Sequence, residues 1–415
     1  MREHRRNWAG NVEFNAERWH EPADLAQLQT VVSGAARLRA VGTGHSFNRI
    51  ADCSADMVSL SEMPTIRRLD EEAGTVTVDA RTRYGELAGW LHERGQALHN
   101  LGSLPHISVG GACATGTHGS GDHNRNLSSA VSALEMVTAD GELVALGRRA
   151  NPEIFDGVVL GLGALGVVTS LTLDIEPTYD VAQVVMDGLG FDQLLHNVDE
   201  IFASGYSVSV FTGWGESGGS QIWCKIRAGG PEPEPGWLGT RPAEVAHHPI
   251  PGISAVNCTE QFGVPGAWHE RLPHFKLAFT PSSGDELQTE YLLPREHAAQ
   301  ALAALDGIRG RIAPVLLISE LRTVAADSMW LSPSYGSDTL AIHFTWVQDH
   351  AAVAPVVSAI EERLAPFAPR PHWGKVFGTP AGRAVYPRWE DFRALMGTFD
   401  PAGKFRNEWI DHVFA

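Results

Sequence analysis

Apolar residues in the first part of the chain recur alternately at the spacings typical of helices and of short strands. Within residues 83–95 they recur at i, i+3, i+4 and i+7, which predicts a helix ended by Gly95. Asp24, which follows a proline, is predicted to begin an earlier helix. Short strands are predicted at residues 38–41, 57–60 and 75–80. A hairpin is predicted farther along, with its turn at Asp140-Gly141. The alternation predicts an α+β domain with mixed strands.

The pattern changes near residue 178, where the predicted strands become longer. Two helical stretches, 295–308 and 353–367, interrupt them, and a Pro/Gly-rich segment at 229–252 is too polar to form a core. One antiparallel sheet with helices on one face is the simplest assembly of these elements, and it would form a second domain. The five predicted strands are residues 206–214, 221–226, 287–294, 315–324 and 339–347.

A glycine turn, VGTGHSFN at residues 41–48, follows the strand at 38–41. Gly42 and Gly44 lack a Cβ, so backbone N–H groups can converge there on a phosphate. The turn does not fit the dinucleotide fingerprint GxGxxG, because Phe47 stands at the position of the third glycine. Taken alone, the turn fits either a ligand-binding loop or an ordinary strand exit.

A second glycine-rich stretch, LGSLPHISVGGACATGTHGSG, covers residues 101–121. It has few large apolar side chains, which argues against core packing, and its hydroxyls and amides suit a polyanionic ligand. We therefore interpret it as a long loop wrapped on an extended ligand. Together with a third glycine cluster at 161–166, the two stretches favour a nucleotide cofactor.

Composition excludes several classes of function. The chain has 415 residues and a formal charge of −17, from 32 basic and 49 acidic side chains, which argues against nucleic-acid or anionic-membrane partners. No apolar run reaches the roughly 18 residues that a membrane span needs. The N-terminus lacks the apolar core of a secretion signal, and the four cysteines show no CxxC spacing. We expect a cytoplasmic protein that binds no metal and acts as a monomer.

Six motifs occur in an order that resembles the vanillyl-alcohol-oxidase family of flavoproteins, and within it the alditol oxidases. They are VGTGHSFN, SLPHISVGG, ATGTHGSG, LGALGVVTSLTL, HWGK (372–375) and DPAGKF (400–405). The resemblance covers nearly the whole chain. It implies an FAD-binding domain of two small α/β subdomains (1–178), a substrate-binding cap with a large antiparallel sheet (179–375) and a C-terminal segment that returns to the first domain (376–415).

The resemblance also implies that His45 is bonded covalently to the flavin of FAD. An imidazole can attack an electron-poor flavin methyl group if a rigid turn holds it against the ring. A second attachment through Cys113 is known in some relatives, but this residue lies out of step with that pattern, and a small buried hydrophobe is the simpler interpretation. Further flavin contacts are implied for Val41, Gly42, Thr43, Gly44, Ser46, Phe47, Gly102, Ser103, Ser108, Gly111, Ala114, Thr115, Gly116, Thr117, His118, Gly119, Gly166, Val168, His372 and Lys375.

Strand parity gathers polar side chains on one face of the cap sheet. Residues i and i+2 of a strand point the same way, so Glu320 and Arg322 share a face, as do His343 and Thr345. Gln288 opens the strand at 287–294. This parity fits either a site for several hydroxyls or a solvent-facing surface with an exposed ion pair. The resemblance places these residues around a polyol and adds Lys375 and Ser103 as substrate contacts.

The implied reaction removes a hydride from a primary alcohol carbon while its hydroxyl loses a proton. Arg322 and Lys375 would stabilise the developing alkoxide. His343 is the best candidate to take the proton, and Glu320 would anchor substrate hydroxyls and balance the two cations. The expected substrates are alditols such as xylitol, sorbitol and glycerol, which would be oxidised to the aldose.

Oxygen is the expected electron acceptor, with hydrogen peroxide as product. In related lactone dehydrogenases a side chain just before the loop serine blocks oxygen, and here that residue is Gly102. Two other functions stay open from the sequence. One is a sugar-1,4-lactone oxidase or dehydrogenase on the same scaffold, and the other is a carbohydrate-binding protein without flavin.

Overall fold

The computed structural model describes residues 5–214, 220–279, 285–378 and 382–415. Its N-terminal part contains a three-stranded parallel sheet in the order β1-β3-β2 and a five-stranded antiparallel sheet in the order β4-β5-β9-β7-β8. The strands are β1 (Arg18–His20), β2 (Leu38–Val41), β3 (Asp56–Ser59), β4 (Arg67–Asp70), β5 (Thr75–Asp79), β6 (Gln96–Ala97), β7 (Val131–Val137), β8 (Leu143–Gly147), β9 (Val167–Asp174) and β10 (Glu176–Pro177). The helices are α1 (Leu25–Gly34), α2 (Tyr84–His92), α3 (Val109–Thr115) and α4 (Phe155–Val159).

The first helices form where the sequence predicts them. The carboxylate of Asp24 accepts a hydrogen bond from Gln27 N and so caps α1, while Leu28 and Val32 are buried on one face. Helix α2 ends at His92 with Glu93 as its C-cap, three residues before the left-handed Gly95 that was predicted to end it. The hairpin at Asp140-Gly141 is confirmed as the β7–β8 connection.

The middle of the chain forms one nine-stranded antiparallel sheet. Its order is β14-β11-β13-β12-β17-β18-β16-β19, with β15 paired to β11. The strands are β11 (Asp180–Leu189), β12 (Ser207–Thr212), β13 (Ser220–Arg227), β14 (Arg241–Pro242), β15 (Gly266–Ala267), β16 (Glu286–Pro294), β17 (Leu316–Val324), β18 (Thr339–Val347) and β19 (Arg370–Pro371). The helices are α5 (Phe191–His196), α6 (Val198–Ala203), α7 (Ala298–Asp306), α8 (Arg309–Ile312) and α9 (His350–Leu364).

One face of this sheet packs against helices, and the other carries polar side chains on β16, β17 and β18 and a small apolar cluster, which includes Phe211 and Trp223, on β12 and β13. The buried apolar cluster on the helix side includes Leu321, Phe344 and Trp346 from the strands, together with Leu302 and Ile360 from α7 and α9. Because side chains alternate along a strand, the neighbours of these apolar residues point to the opposite face. The predicted arrangement, one antiparallel sheet with helices on one side, is confirmed.

The last helices pack with the N-terminal part of the chain. They are α10 (Gly382–Val385), α11 (Trp389–Phe399) and α12 (Glu408–Val413). Phe392, Ile410 and Phe414 belong to the same buried cluster as Leu28 of α1 and Leu134 of β7. The domain boundaries at 178 and 375 stay predictions. Among the described residues, no helix combines the length and apolarity that crossing a membrane requires.

Several elements were not predicted from the sequence, β9 among them, and two cases show a physical reason. Strand β11 was not predicted, because it is covered on both faces and lacks the polar–apolar alternation of a half-exposed strand. Its Gln183 is fully buried and donates to Glu260 O at 2.9 Å. Helix α3 lies inside the segment expected to be a loop, and it buries Val109, Ala112 and Cys113 at helical spacing.

Candidate active site

A cavity of about 660 Å³ lies between the glycine-rich segments and the polar face of the large sheet. It unites residues that are far apart in sequence, as antiparallel pairing sets Gln288 opposite Thr345 and sets His343 opposite both Glu290 and Glu320. The predicted site residues on its wall are Val41, Gly42, Thr43, Gly44, His45, Ser46, Phe47, Gly102, Ser103, Ser108, Gly111, Ala114, Thr115, Thr117, His118, Gln288, Glu320, Arg322, His343, Thr345, His372 and Lys375.

The glycine turn after β2 is held against the second glycine-rich segment. A Cβ at Gly42 would stand 2.4 Å from Ser108 Oγ, so no larger residue fits there without a shift. Gly44 has a left-handed backbone with φ of +70°. In the described part of the chain, the N–H groups of residues 42–46 donate to no protein acceptor. They are therefore available to a ligand in the cavity.

The imidazole of His45 is fixed in place with one nitrogen free. Nδ1 lies 2.9 Å from Thr43 Oγ1, and the ring stacks on Trp8 with centroids 5.1 Å apart. Within the described ranges, the buried Nε2 atom has no hydrogen-bond partner. Burial lowers the pKa of His45 to about 4, which keeps the imidazole neutral near pH 7 and leaves a lone pair for chemistry.

Some glycines of the second segment serve protein packing rather than the cavity. A Cβ at Gly110 of α3 would stand 2.9 Å from Ala80, so this glycine lets the helix pack against the N-terminal core. The expectation that the segment is only a ligand-binding loop is therefore wrong for its middle. The side of α3 and the turns before and after it still line the cavity through Ser103, Ser108 and Thr117.

Four predicted flavin contacts do not lie on the cavity wall. Gly116 ends α3 in a left-handed conformation next to Leu160, and a Cβ at Gly119 would stand 2.4 Å from Leu101 O. Just before β9, a Cβ at Gly166 would stand 2.8 Å from Val137 O, and in β9 Val168 pairs with Met136 of β7. The close packing of neighbouring chain segments explains these residues, so the structure does not bring them to the site.

The predicted polar face is present, but its central carboxylate is one that the sequence analysis did not name. Glu290 of β16 accepts from Arg322 Nη2 at 2.5 Å and from Lys375 Nζ at 2.7 Å. His118 Nε2 lies 3.4 Å from the same carboxylate. Burial opposes ionisation of Glu290, but Arg322 and Lys375 hold its pKa well below the usual range. Glu290 lies two residues after Gln288 on the same strand face, and that spacing was the available signal.

Glu320 has a different set of partners from the expected one. It was expected to balance the two cations, but it lies 3.7 Å from Arg322 Nε and is not paired with Lys375. Instead, Oε1 accepts from Ser209 Oγ at 2.8 Å and lies 2.8 Å from His274 Nε2. Glu290 therefore provides the main countercharge for both cations, and Glu320 makes its hydrogen bonds with Ser209 and His274 while Arg322 lies 3.7 Å away.

The HWGK segment is joined directly to the glycine turn. Asn48 Nδ2 donates to the carbonyls of Trp373 and Lys375, each at 2.8 Å, and Phe47 N donates to Gly374 O at 2.7 Å. A Cβ at Gly374 would lie 3.3 Å from Ser46 Oγ. These contacts place Lys375 in the cavity, where burial lowers its pKa and Glu290 partly offsets that shift.

His343 lies beside the cations with both ring nitrogens available. It is buried, and among the described residues neither Nδ1 nor Nε2 has a hydrogen-bond partner; Nδ1 lies 3.9 Å from Glu320 Oε2. Burial, followed by the nearby charge of Lys375, holds the pKa of His343 well below the usual range. The imidazole is therefore neutral and can accept a hydrogen bond or a proton from a molecule in the cavity.

Comparisons with known proteins agree with this arrangement. A family model described as "FAD binding domain" matches residues 17–147, and one described as "D-arabinono-1,4-lactone oxidase" matches residues 284–413. The chain is 53% identical over 411 residues to an alditol oxidase from Streptomyces sp., with 97% of each protein covered. The chain belongs to the vanillyl-alcohol-oxidase family of FAD flavoproteins. It is also 30% identical over 437 residues to L-gulono-1,4-lactone dehydrogenase from Mycobacterium tuberculosis, with 98% of each covered.

Solved structures show that the fold of this vanillyl-alcohol-oxidase family member is shared more widely. A variant of cholesterol oxidase from Brevibacterium sterolicum superposes with a TM-score of 0.78 and 14% identity, covering 99% of this chain and 96% of that one. At this identity the likeness concerns the fold alone. It confirms the predicted two-domain α+β architecture.

The residues on the cavity wall fit FAD, the cofactor of the vanillyl-alcohol-oxidase family. The free N–H groups of residues 42–46 suit phosphate oxygens, and the unpartnered Nε2 of His45 lies on the same wall. Across the cavity, Arg322 and Lys375 supply positive charge to the wall. This protein is an FAD-dependent oxidoreductase.

Proposed function

We propose that this protein oxidises the terminal primary alcohol of alditols such as xylitol, sorbitol and glycerol to the aldose, with FAD attached covalently to His45. Oxygen takes up the two electrons and two protons and leaves as hydrogen peroxide. One observation carries the proposal: the polar sheet face and the unpartnered imidazole of His45 line the same cavity. The 53% identity to an alditol oxidase supports it.

The proposed covalent link rests on the surroundings of His45. The stacking on Trp8 and the bond of Nδ1 to Thr43 hold the ring in one orientation. A neutral imidazole has a lone pair, which attack on an electrophilic carbon requires. The turn that carries it is pinned by Ser108 and Gly374, so little conformational freedom is lost when the bond forms.

The sheet face recognises the substrate through several hydroxyl partners. Gln288, Thr345 and the carboxylate of Glu320 offer both donors and acceptors to a polyol chain. Ser103 adds a hydroxyl from the opposite wall, with its Oγ 3.5 Å from Arg322 Nη1. A molecule with a hydroxyl on each carbon satisfies such a set, whereas a molecule with fewer hydroxyls leaves buried polar groups unpaired.

The charged residues lower the barrier to loss of the hydroxyl proton. When bound, FAD accepts a hydride from the alcohol carbon and returns the electrons to oxygen. Arg322 and Lys375 stabilise the negative charge that grows on the alcohol oxygen, and Glu290 keeps both in place while no substrate is bound. His343 takes the hydroxyl proton on an unpartnered ring nitrogen.

Access of oxygen is supported by Gly102, which lies on the cavity wall. A Cβ there would meet Ile107 at 3.6 Å and Thr117 at 3.7 Å, which are ordinary contacts. The glycine is thus not required for packing, and its lack of a side chain leaves space next to Ser103. That space supports an oxidase rather than a dehydrogenase.

A sugar-1,4-lactone oxidase or dehydrogenase is the second candidate. The match of residues 284–413 to the D-arabinono-1,4-lactone oxidase model favours it, as does the 30% identical dehydrogenase. A panel of alditols and 1,4-lactones separates the two, with peroxide release and reduction of an artificial electron acceptor both measured. We expect peroxide from xylitol, sorbitol or glycerol; turnover of lactones alone would refute the proposal.

A further inference from the structure

A buried chain of side chains runs behind the polar wall of the cavity and ends at Glu320. It begins at Lys225 of β13, whose Nζ donates to Leu272 O and lies 3.1 Å from His274 Nδ1. His274 Nε2 lies 2.8 Å from Glu320 Oε1. Lys225, His274 and Glu320 are each at most 4% exposed as whole residues. Lys225 is not part of the cavity wall, so it acts on the site only through His274.

The charges of these groups determine which way each hydrogen bond runs. Burial lowers the pKa of Lys225 to about 7, and burial together with Lys225 lowers the pKa of His274 to about 4. Between those values Lys225 is an ammonium, which has donors and no acceptor, and His274 is neutral with one N–H. Nδ1 of His274 must therefore accept from Lys225, and Nε2–H must donate to Glu320.

This tautomer makes the two oxygens of Glu320 unequal. Oε1 accepts from both Ser209 and His274, each at 2.8 Å. Oε2 receives no hydrogen bond from any described residue and lies 3.9 Å from His343 Nδ1. Glu320 lies on the cavity wall, so Oε2 is the oxygen left for a ligand.

We propose that Lys225 is a positioning residue that holds His274 in its Nε2–H tautomer and thereby keeps Glu320 Oε2 ionised and turned toward a substrate hydroxyl. Without the ammonium, the buried Nδ1 of His274 has no hydrogen-bond donor, and the positive charge that lowers the pKa of the ring is gone. The ring would then bind a second proton on Nδ1 or turn, and either change alters the charge or the hydrogen bond that the Glu320 carboxylate receives. The identity of the ligand as a polyol rests on the proposed function; the tautomer does not.

The tautomer can be measured in the unaltered holoenzyme. In ¹⁵N-histidine-labelled protein at about pH 6, between the two pKa values, we expect the His274 ring to show a protonated Nε2 and an unprotonated Nδ1. The His274→Gln variant identifies the signal by its loss. A His274 ring protonated on Nδ1, or on both nitrogens, would overturn the proposal whatever the enzyme oxidises.

A double-mutant cycle tests the effect on the site. We expect Lys225→Met to raise KM for xylitol about 10- to 100-fold, as for one lost hydrogen bond to a charged group, while kcat changes less than about threefold. Glutamine at position 274 offers an amide N–H to Glu320 and has no tautomers. In the His274→Gln background, Lys225→Met should therefore change KM by less than about threefold.

Lys404→Met is the matched control, because Lys404 is also buried, its ammonium donates only to backbone carbonyls and it does not line the cavity. It should lower stability and leave KM unchanged. An equal rise in KM on removal of Lys225 in both backgrounds, or a matching rise in Lys404→Met, would refute the positioning role. An enzyme that oxidises no alditol would refute the proposed function, and the ¹⁵N result would still decide the tautomer.

Discussion

The pairing of one carboxylate with two cations makes Glu290→Gln the most informative substitution at the site. Glutamine keeps the shape of the side chain and removes its charge. Arg322 and Lys375 then remain buried within reach of each other without their shared countercharge, at contacts that are now 2.5 and 2.7 Å. Removal of one member of a buried ion pair costs about 3–5 kcal/mol of unfolding free energy, and we expect a loss of that size.

The loss of activity should depend on pH in a defined direction. Burial lowers the pKa of Lys375, and Glu290 partly restores it, so without Glu290 the pKa falls further. Lys375 then loses its proton at lower pH, and the alkaline limb of kcat/KM moves toward acid. Loss of one charge that stabilises an oxyanion typically lowers kcat by about 10²–10³. At pH values above the shifted limb we expect kcat to fall by this factor. At pH values below it, where Lys375 is still charged, we expect a smaller fall.

The assay is steady-state peroxide release with xylitol across a pH series, combined with urea unfolding. Tyr291→Phe is the control, because Tyr291 is the next residue on β16, points to the opposite face and donates to Glu361 at 2.6 Å. It should cost about 1 kcal/mol of stability and leave the pH profile unchanged. Glu290→Gln activity within threefold of the parent, with an unmoved alkaline limb, would refute the assigned role.

Three further substitutions test other parts of the site. His45→Ala should yield protein from which acid precipitation releases all flavin, whereas in the parent the yellow colour stays with the polypeptide. Flavin that remained bound to the variant would exclude His45 as the attachment point. Gly102→Val should slow reoxidation of the reduced enzyme by air, while the rate of anaerobic reduction by xylitol changes little; stopped-flow absorbance measures both rates. Unchanged reoxidation would remove the oxygen-access argument. Arg322→Lys keeps the charge but loses the forked contact with Glu290 and Ser103. We therefore expect kcat/KM to fall at least about tenfold, and kinetics like those of the parent would show that the charge alone suffices.

The architecture of the cap was predictable because its central strands alternate polar and apolar side chains, although both of their faces are buried. Strand β18 was predicted at the residues where it occurs, and parity correctly divided Glu320 and Arg322 from Leu321. Where both faces of a strand carry mostly apolar side chains, this alternation disappears. Strand β11 was missed for this reason, since even its polar Gln183 is buried.

The electrostatic partners in the site were harder to predict than its wall. Glu290 could have been found from its spacing to Gln288, but parity alone does not rank carboxylates by their contacts. His274 and Lys225 could not have been found, because His274 lies in an irregular segment without periodic pattern and meets Glu320 46 residues away. Such contacts depend on how the loop packs over the sheet, which local sequence does not encode.

The short helix α3 shows how glycine can mislead. Its two glycines favour a loop by propensity, yet Gly110 is needed for close packing on Ala80, and Val109, Ala112 and Cys113 supply a helical apolar face. Tertiary packing outweighed local preference in this segment. The flanking turns are irregular and line the cavity, and their contact with a ligand stays a prediction.

Anaerobic mixing of the purified yellow holoenzyme with xylitol tests the central claim most directly. The visible flavin absorbance should bleach completely, return when air is admitted with release of one equivalent of hydrogen peroxide, and remain with the polypeptide after acid precipitation. A flavin that stays oxidised with every alditol but bleaches with a 1,4-lactone would contradict the account.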